Sequence, residues 1–241
     1  MTRGLASLRS VLPAGFTAGK STNWRAYMPS TGIPMLGNDQ CGCCVWAARL
    51  HYIQIAELYV NNALVQPTDA ECIAAYSDAT GYDPINPATD LGTYVQGTGG
   101  AIEYWRSKGV MCAGKRYVIK DAVSVEHMDI DHLKLALTLG PVIGGAVVRR
   151  DDVLSSFMWD VGQSPIDGGH EFLLVDCETL SSGKTYFDVC TWDGMWRCTD
   201  DWVMAQMDEA TMVLDPAFFG PSGLDPADMN MAAVSAAMSS L

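Results

Sequence analysis

The run Gly37-Asn38-Asp39-Gln40-Cys41-Gly42-Cys43-Cys44-Val45-Trp46-Ala47-Ala48, together with Gly168-Gly169-His170 far downstream, constrains this chain more than any other feature. It puts a cysteine at the opening of a helix and a histidine at the opening of an apolar strand, the two halves of a thiol nucleophile and its base. A thiol in a first helical turn faces unpaired backbone N–H groups and the positive end of the macrodipole, both of which favour thiolate. The same N–H groups stabilise an oxyanion developing on a substrate carbonyl. His170 sits between Gly168-Gly169 and Phe172-Leu173-Leu174-Val175, at the mouth of a buried strand. Its separation from Cys44 in sequence is no obstacle, because catalytic partners meet in space.

The pattern divides the chain into four stretches. Residues 1–35 hold Pro13, Gly15, Gly19, Pro29, Gly32 and Pro34 with little periodicity, which predicts an extended arm over the body. Residues 36–120 read as a helical, loop-rich lobe. Cys44, Ala47, Ala48, Ile55 and Leu58 fall near one face of a helix running to about Val60, with Asn61-Asn62 as its stop. Pro67-Thr68-Asp69-Ala70-Glu71 looks like a cap leading into Cys72–Tyr76, and Ala101–Lys108 is a helix stopped by Gly109.

Residues 121–219 shift toward strands. Leu133–Leu139 is a short helix ended by Gly140-Pro141, followed by the strand candidates Val142–Val148, Phe172–Val175, Tyr186–Cys190 and Met212–Leu214. Residues 220–241 form a tail whose apolar positions Met229, Met231, Ala232, Val234, Ala237, Met238 and Leu241 suit a docking helix or an arm ordered by a partner. The fold class is therefore α+β, a helical lobe followed by a strand-rich lobe.

Charge narrows the partners. The formal net charge is -13, and it is uneven: residues 1–120 hold 10 Lys+Arg against 8 Asp+Glu, whereas residues 121–241 hold 5 against 20. Such a field repels phosphate backbones and anionic membrane surfaces, so neither nucleic acid nor membrane is an expected partner. No stretch reaches the ~18 uncharged apolar residues of a spanning helix, and Met1–Phe16 has no continuous apolar core. The expectation is a chain with no signal peptide. Eight cysteines are too dilute for a disulfide scaffold, so mostly reduced thiols are expected, with Cys41 a candidate disulfide partner in an oxidising setting.

Rival readings of the polar residues are weaker. Cys41, Cys43 and Cys44 lack the Cys-x2-4-Cys spacing of a zinc loop and have no second ligand pair, so neither metal nor cofactor is expected. His51 stands about 10 Å of helical rise from Cys44, too far to be its base, and reads as a packed or rim histidine. His127 and His132 lie among Glu126, Asp129 and Asp131, where solvated charge pairing is the ordinary explanation.

These residues resemble the papain-like cysteine peptidases. That family has a Cys-Gly-Ser-Cys-Trp-like segment opening its long helix, then Gly-Pro-Val at a strand, a Gly-His-Ala-like histidine strand, and Asn-Ser-Trp-Gly followed by a second Trp. Here stand Cys41-Gly42-Cys43-Cys44, Gly140-Pro141-Val142, Gly169-His170-Glu171, and Cys190-Thr191-Trp192-Asp193 with Trp196, in the same order across residues 37–214. The resemblance implies a helical lobe and a barrel-like, strand-rich lobe with a cleft between them, Cys44 as nucleophile and His170 as base. It implies Trp192 and Trp196 buried beside the histidine.

Two positions depart from the family. Its histidine-orienting Asn aligns with Cys190, a poor acceptor for an imidazole N–H, so the orienter is missing or supplied elsewhere. Its oxyanion-hole Gln aligns with Asn38, one methylene shorter, while Gln40 is out of register. Gly37-Asn38-Asp39, Ala47-Ala48, Thr80-Gly81-Tyr82-Asp83-Pro84, Asp90-x-Gly92 and Thr191-Trp192 further resemble a papain-like group encoded largely by tailed bacteriophages. That implies a virion or assembly component with protein partners in the particle, located in the virion or in the host cytoplasm during assembly. Two readings follow: a thiol hydrolase of peptide or isopeptide bonds, or a degenerate papain-like scaffold kept as a structural virion protein.

Overall fold

The computed structural model describes residues 5–12, 23–30, 32–95, 99–155 and 157–214. The predicted tail, 220–241, lies outside the described residues, as does much of the N-terminal stretch.

Helix α1 (Leu8–Val11) and a 3-10 turn at Trp24–Tyr27 precede the first lobe. Trp24 is fully buried, and its indole N–H donates to the Leu137 carbonyl at 2.7 Å. Helix α2 (Cys44–Asn61) starts and stops within a residue or so of expectation, ending where Asn62 turns left-handed at φ 49 and its N–H bonds the Glu57 carbonyl. The predicted single apolar face is too narrow, because every residue from Val45 to Glu57 is buried. An element buried all round is enclosed by the fold, and even its polar members Arg49, His51 and Gln54 must find partners inside.

Helix α3 (Asp69–Thr80) opens on a capping box: Thr68 Oγ1 accepts the Glu71 N–H while the Glu71 carboxylate accepts the Thr68 N–H. Helix α4 (Ala101–Ser107) stops before Gly109, whose φ of +77 and close approach to the Tyr117 carbonyl exclude a side chain. A hairpin of β1 (Val110–Cys112) and β2 (Lys115–Tyr117) closes this lobe.

The second lobe is one sheet. Strand β3 (Asp121–Ser124) leads through α5 (Ile130–Leu139) to β4 (Val142–Arg149), then α6 (Arg150–Leu154), β5 (Met158–Trp159), β6 (Ile166–Thr179), β7 (Thr185–Thr191), β8 (Gly194–Thr199), α7 (Asp200–Gln206) and β9 (Met207–Leu214). Their order is β3-β9-β4-β6-β7-β8-β5, with every pair antiparallel except β5–β8. Among the described residues the sheet is open, not a closed barrel. β6 is far longer than its apolar run Phe172–Val175, because partners on both sides hold its polar ends in register. Helix α2 packs against β6 at the centre of the molecule. The Cys44 helix and the His170 strand are therefore in direct contact.

Candidate active site

Cys44 is the first residue of α2, and His170 lies in β6 opposite Ala146 of β4. Both line one cavity of about 370 Å³. Its walls are Gly42, Cys44 and Val45 at the start of α2, Leu91–Val95 of the loop between α3 and α4, Gly145 and Ala146 of β4, Gly169–Glu171 of β6, and Asp208 and Glu209 of β9. A larger groove of about 650 Å³ lies between α3 and α4, lined by Asp78, Tyr104, Lys108 and Arg116 among others, on a different part of the helical lobe.

Burial pushes the Cys44 thiol up to about 12. The backbone N–H groups of Glu171 and Val45 pull the other way, while the Glu171 carboxylate adds to the rise. The Glu171 amide belongs to the residue after His170, so the histidine strand acts directly on the thiol. Burial also lowers His170, to about 3. At neutral pH the resting pair is thus a protonated thiol and a neutral imidazole.

His170 Nε2 stands 2.5 Å from Thr191 Oγ1, and Trp192 stacks on the ring with centroids 4.6 Å apart and planes 23° from parallel. The imidazole's hydrogen-bonding partner is thus Thr191, one residue along from Cys190, the position with which the family's Asn aligns. Cys190 is fully buried and pairs with Leu173 across the β6–β7 ladder, so its side chain shares the face of Leu173 and Glu171. One residue on, Thr191 turns to the opposite face, with His170 and Phe172. Burial raises the Cys190 thiol far above the ordinary thiol range, consistent with an inert packing role.

Asn38 does not reach the cavity. It sits in the tight turn after Met35, and its Nδ2 donates to the Met35 carbonyl at 2.9 Å, because so short a carboxamide closes its own turn before it can span to α2. Gln40 is exposed and donates toward Asp69. The donors left near Cys44 are backbone amides. Cys43, at the N-cap of α2, makes no side-chain hydrogen bond to the first turn; its carbonyl takes the Trp46 N–H, and among the described residues the Cys44 and Val45 N–H groups have no backbone acceptor.

Several residues that hold the site were given no role from the sequence. Asp90 accepts the Gly42 N–H with both carboxylate oxygens, at 3.2 and 3.0 Å, and takes the Tyr76 hydroxyl at 2.6 Å. Tyr76 in turn accepts the Gly92 N–H at 2.9 Å and stacks on Tyr82. The Tyr82 and Asp90-x-Gly92 motifs thus fasten the cavity loop to the turn before Cys44. Within the core, Arg49 of α2 donates to Glu171 at 2.9 Å, with the guanidinium fully buried and also bonded to the Val45 carbonyl.

Two further expectations are corrected. Trp196 is buried but Trp192 is only half-buried, although its ring stacks on His170 and meets Trp196 edge-on. His132 is buried, not solvated: its Nδ1 accepts the Glu126 N–H at 3.0 Å and pins the loop before α5. His51 is a packed residue, its Nδ1 3.1 Å from Gln54 Oε1. All eight cysteines are free thiols. Among the described residues no group of three or more His, Cys, Asp or Glu is placed to hold a metal ion, and no helix is long and apolar enough to cross a membrane.

Scans against protein-family models and against curated proteins give no match. Solved structures do. Xylellain, a cysteine protease from Xylella fastidiosa, superposes with a TM-score of 0.54 at 17% identity over 83% of this chain and 90% of its own. A digestive procathepsin L from the larval midgut of Tenebrio molitor gives 0.58 at 16% identity over 88% and 74%. The bromelain protease of Ananas comosus gives 0.54 at 16% identity over 81% and 98%. At these identities the likeness is one of fold: an α+β, papain-like architecture, as the cysteine and histidine segments implied.

Proposed function

We propose that this chain is a thiol hydrolase of peptide or isopeptide bonds, with Cys44 as nucleophile, His170 as base and Thr191 as the group that orients the imidazole. The observation that carries this reading is the convergence of Cys44 and His170 on one cavity, between the start of α2 and the strand β6 on which α2 packs. Thr191 Oγ1 accepts from Nε2–H, which leaves the Nδ1 lone pair to take the thiol proton. Because the resting pair is neutral, that transfer accompanies attack instead of preceding it. Sγ then bonds to the carbonyl carbon, the first-turn amides of α2 receive the oxyanion, and His170 returns the proton to the leaving amine as the C–N bond breaks. Water, deprotonated by His170, cleaves the thioester.

The test is alkylation of Cys44 by iodoacetamide alongside cleavage of a peptide library. Both are expected to vanish in Cys44→Ala and to fall steeply in His170→Ala. Equal alkylation in the His170 variant overturns the dyad.

We further infer a role in a bacteriophage particle or its assembly, with other particle proteins as partners. The support is the sequence resemblance at Gly37–Asp39, Thr80–Pro84, Asp90–Gly92 and Thr191-Trp192, together with the acidic second half. Some of these residues hold the cavity in shape: Asp90 and Gly92 fasten its loop, and Thr191 and Trp192 hold the imidazole. Peptides of this chain in purified particles support the role, and their absence from particles of a phage that encodes it removes it. The structural-scaffold reading draws its support from the elevated thiol and from Asn38 being turned away. It expects Cys44→Ala particles to assemble and infect normally.

A further inference from the structure

The groove between α3 and α4 takes no part in the chemistry at Cys44. It holds about 650 Å³, and Ala70 and Ala74, one turn apart on α3, form an exposed floor with Tyr104 and Lys108 opposite. Its carboxylates are engaged. Asp78 accepts from the Tyr104 hydroxyl at 2.6 Å and from Lys108 at 3.0 Å, while Glu71 accepts the Thr68, Ala113 and Gly114 N–H groups. Arg116, at the rim, gives Nη1 to the Lys108 carbonyl and is in no ion pair among the described residues. Such a groove suits a segment with an apolar face and acidic residues at one end.

The described chain ends on the far side of α4 from this groove. Leu214 pairs with Asp121, whose carboxylate stands 3.5 Å from the Arg106 guanidinium of α4. Residues 215–241 follow, outside the described residues, with three aspartates and no lysine or arginine. In Asp225-Pro226-Ala227-Asp228, a capping residue, a proline and a first-turn acid stand in the order that opens a helix. Ala227, Met231, Val234, Met238 and Leu241 then recur at alternate spacings of four and three, the pattern of one helical face.

We propose that residues 225–241 of this same chain occupy the α3–α4 groove, with Met231, Val234 and Met238 over the Ala70 and Ala74 floor and Asp225 and Asp228 toward Arg116. The inference goes beyond the hydrolase reading and stands apart from it. Reach is no obstacle. Lys108 is two positions on from Arg106, so the segment has only to pass around one helix, about 10–12 Å across. Residues 215–224 span up to about 33 Å when extended. Tethering favours the chain's own segment over that of a second copy, since a short linker supplies an effective concentration on the order of millimolar. Unbranched methionines adapt to the space that alanines leave, and the Arg116 guanidinium gives an aspartate a charge-assisted partner.

The test is photocrosslinking in the full chain. A benzophenone amino acid replaces Met238, and an equal mixture of heavy-nitrogen and ordinary protein is irradiated at about 1 μM, far below the tethered concentration. Cross-links are expected within single copies, to residues 70–78 or 104–111. Ala74→Glu puts bulk and negative charge on the exposed floor and is expected to cut their yield at least about fivefold. Moving the probe to Ala236, on the opposite side of the four-and-three spacing, is expected to do the same without touching the groove, so a folding defect in Ala74→Glu cannot decide the matter. Cross-links between heavy and ordinary copies give the groove to a second molecule and overturn the proposal. So do cross-links to the Cys44 cavity or elsewhere on the body, no cross-link to the body at all, or equal yields from Met238 and Ala236.

Discussion

His170 Nε2 and Thr191 Oγ1 stand 2.5 Å apart, and this contact moves the imidazole's anchor one residue along from the position where the sequence pattern places it. Thr191→Val keeps the branched shape and deletes the acceptor. It leaves a buried imidazole nitrogen unpaired, a loss of about 1.5–3 kcal/mol where the partner becomes charged during turnover. Alkylation of Cys44 is then expected to slow about tenfold or more, while Thr191→Ser retains the wild-type rate. Equal rates in the valine variant would give the orienting role to the Trp192 stack alone.

The resting protonation states set a pH profile. With Cys44 raised to about 12 and His170 lowered to about 3, neither group titrates between about pH 5 and 9. Because neutral His170 takes the proton as Sγ attacks, the alkylation rate is expected to stay about flat through that window in the wild type and to climb about tenfold per pH unit in His170→Ala, where free thiolate alone reacts. A rate that climbs about tenfold per pH unit in both proteins would mean that His170 takes no part.

How much of this was legible in the sequence depended on range. The start of α2 at Cys44, the Thr68–Glu71 box and the Gly140-Pro141 stop are local signals, each decided within one turn of chain, and the structure follows them. The choice between Cys190 and Thr191 is a matter of strand parity, which only the β6–β7 register settles. Asp90 reaching Gly42, and Arg49 reaching Glu171, are contacts between residues far apart in sequence. The polar members of an otherwise apolar helix gave notice that a partner existed without naming it. Asn38 misled because alignment fixes position but not direction, and its amide closes a turn.

The loop that walls the cavity hangs on Tyr76 and Asp90. Tyr76→Phe preserves the stack on Tyr82 and deletes the hydroxyl that bridges the Asp90 carboxylate and the Gly92 N–H. A loss of about 1–3 kcal/mol in urea unfolding is expected. Hydrogen exchange at Gly92 and Thr93 should quicken beyond what global destabilisation explains. Protection unchanged at those amides would show that the loop is held by the indole N–H of Trp46 bonding Thr93 Oγ1.

Acid should loosen the fold through buried imidazoles. His51 is lowered to about 4 and His170 to about 3, both by burial, so between these values and the ordinary 6.5 the unfolded chain binds more protons. Their contribution to stability is present above about pH 6.5 and is lost as pH falls toward 4. Glu171, raised to about 7, acts oppositely and takes stability away as pH rises from 4.5 to 7, offsetting about one of the two histidines there. The net expectation is a melting temperature that falls on acidification from pH 6.5 to 4. His51→Phe should flatten that slope, removing about 2–3 kcal/mol of the acid loss. An unaltered slope would place the acid sensitivity elsewhere.

The Arg49–Glu171 pair links the nucleophile's helix to the histidine's strand, and its energetics are asymmetric. Arg49 is fully buried between the Trp46 and Trp105 rings, 5.8 and 5.7 Å from their centroids, with Nε and Nη2 unpaired. Taking both ions out of water costs about what their attraction returns, so the intact pair adds little net stability. Breaking it is another matter. Arg49→Met leaves the Glu171 carboxyl without its cation and beside Glu209, an expected loss of about 3–5 kcal/mol in urea unfolding above neutral pH. The loss should shrink on acidification, because without Arg49 the carboxyl's pKa rises further and protonation relieves the buried charge. Adding Glu171→Gln to Arg49→Met should recover most of the stability. Cys44 alkylation at fixed pH should then be faster than in the single variant, since the carboxylate that opposes thiolate formation is gone while the residue-171 N–H remains. A double variant as unstable as Arg49→Met would mean that the guanidinium matters for its contacts with the rings and the Val45 carbonyl, and that its charge does not.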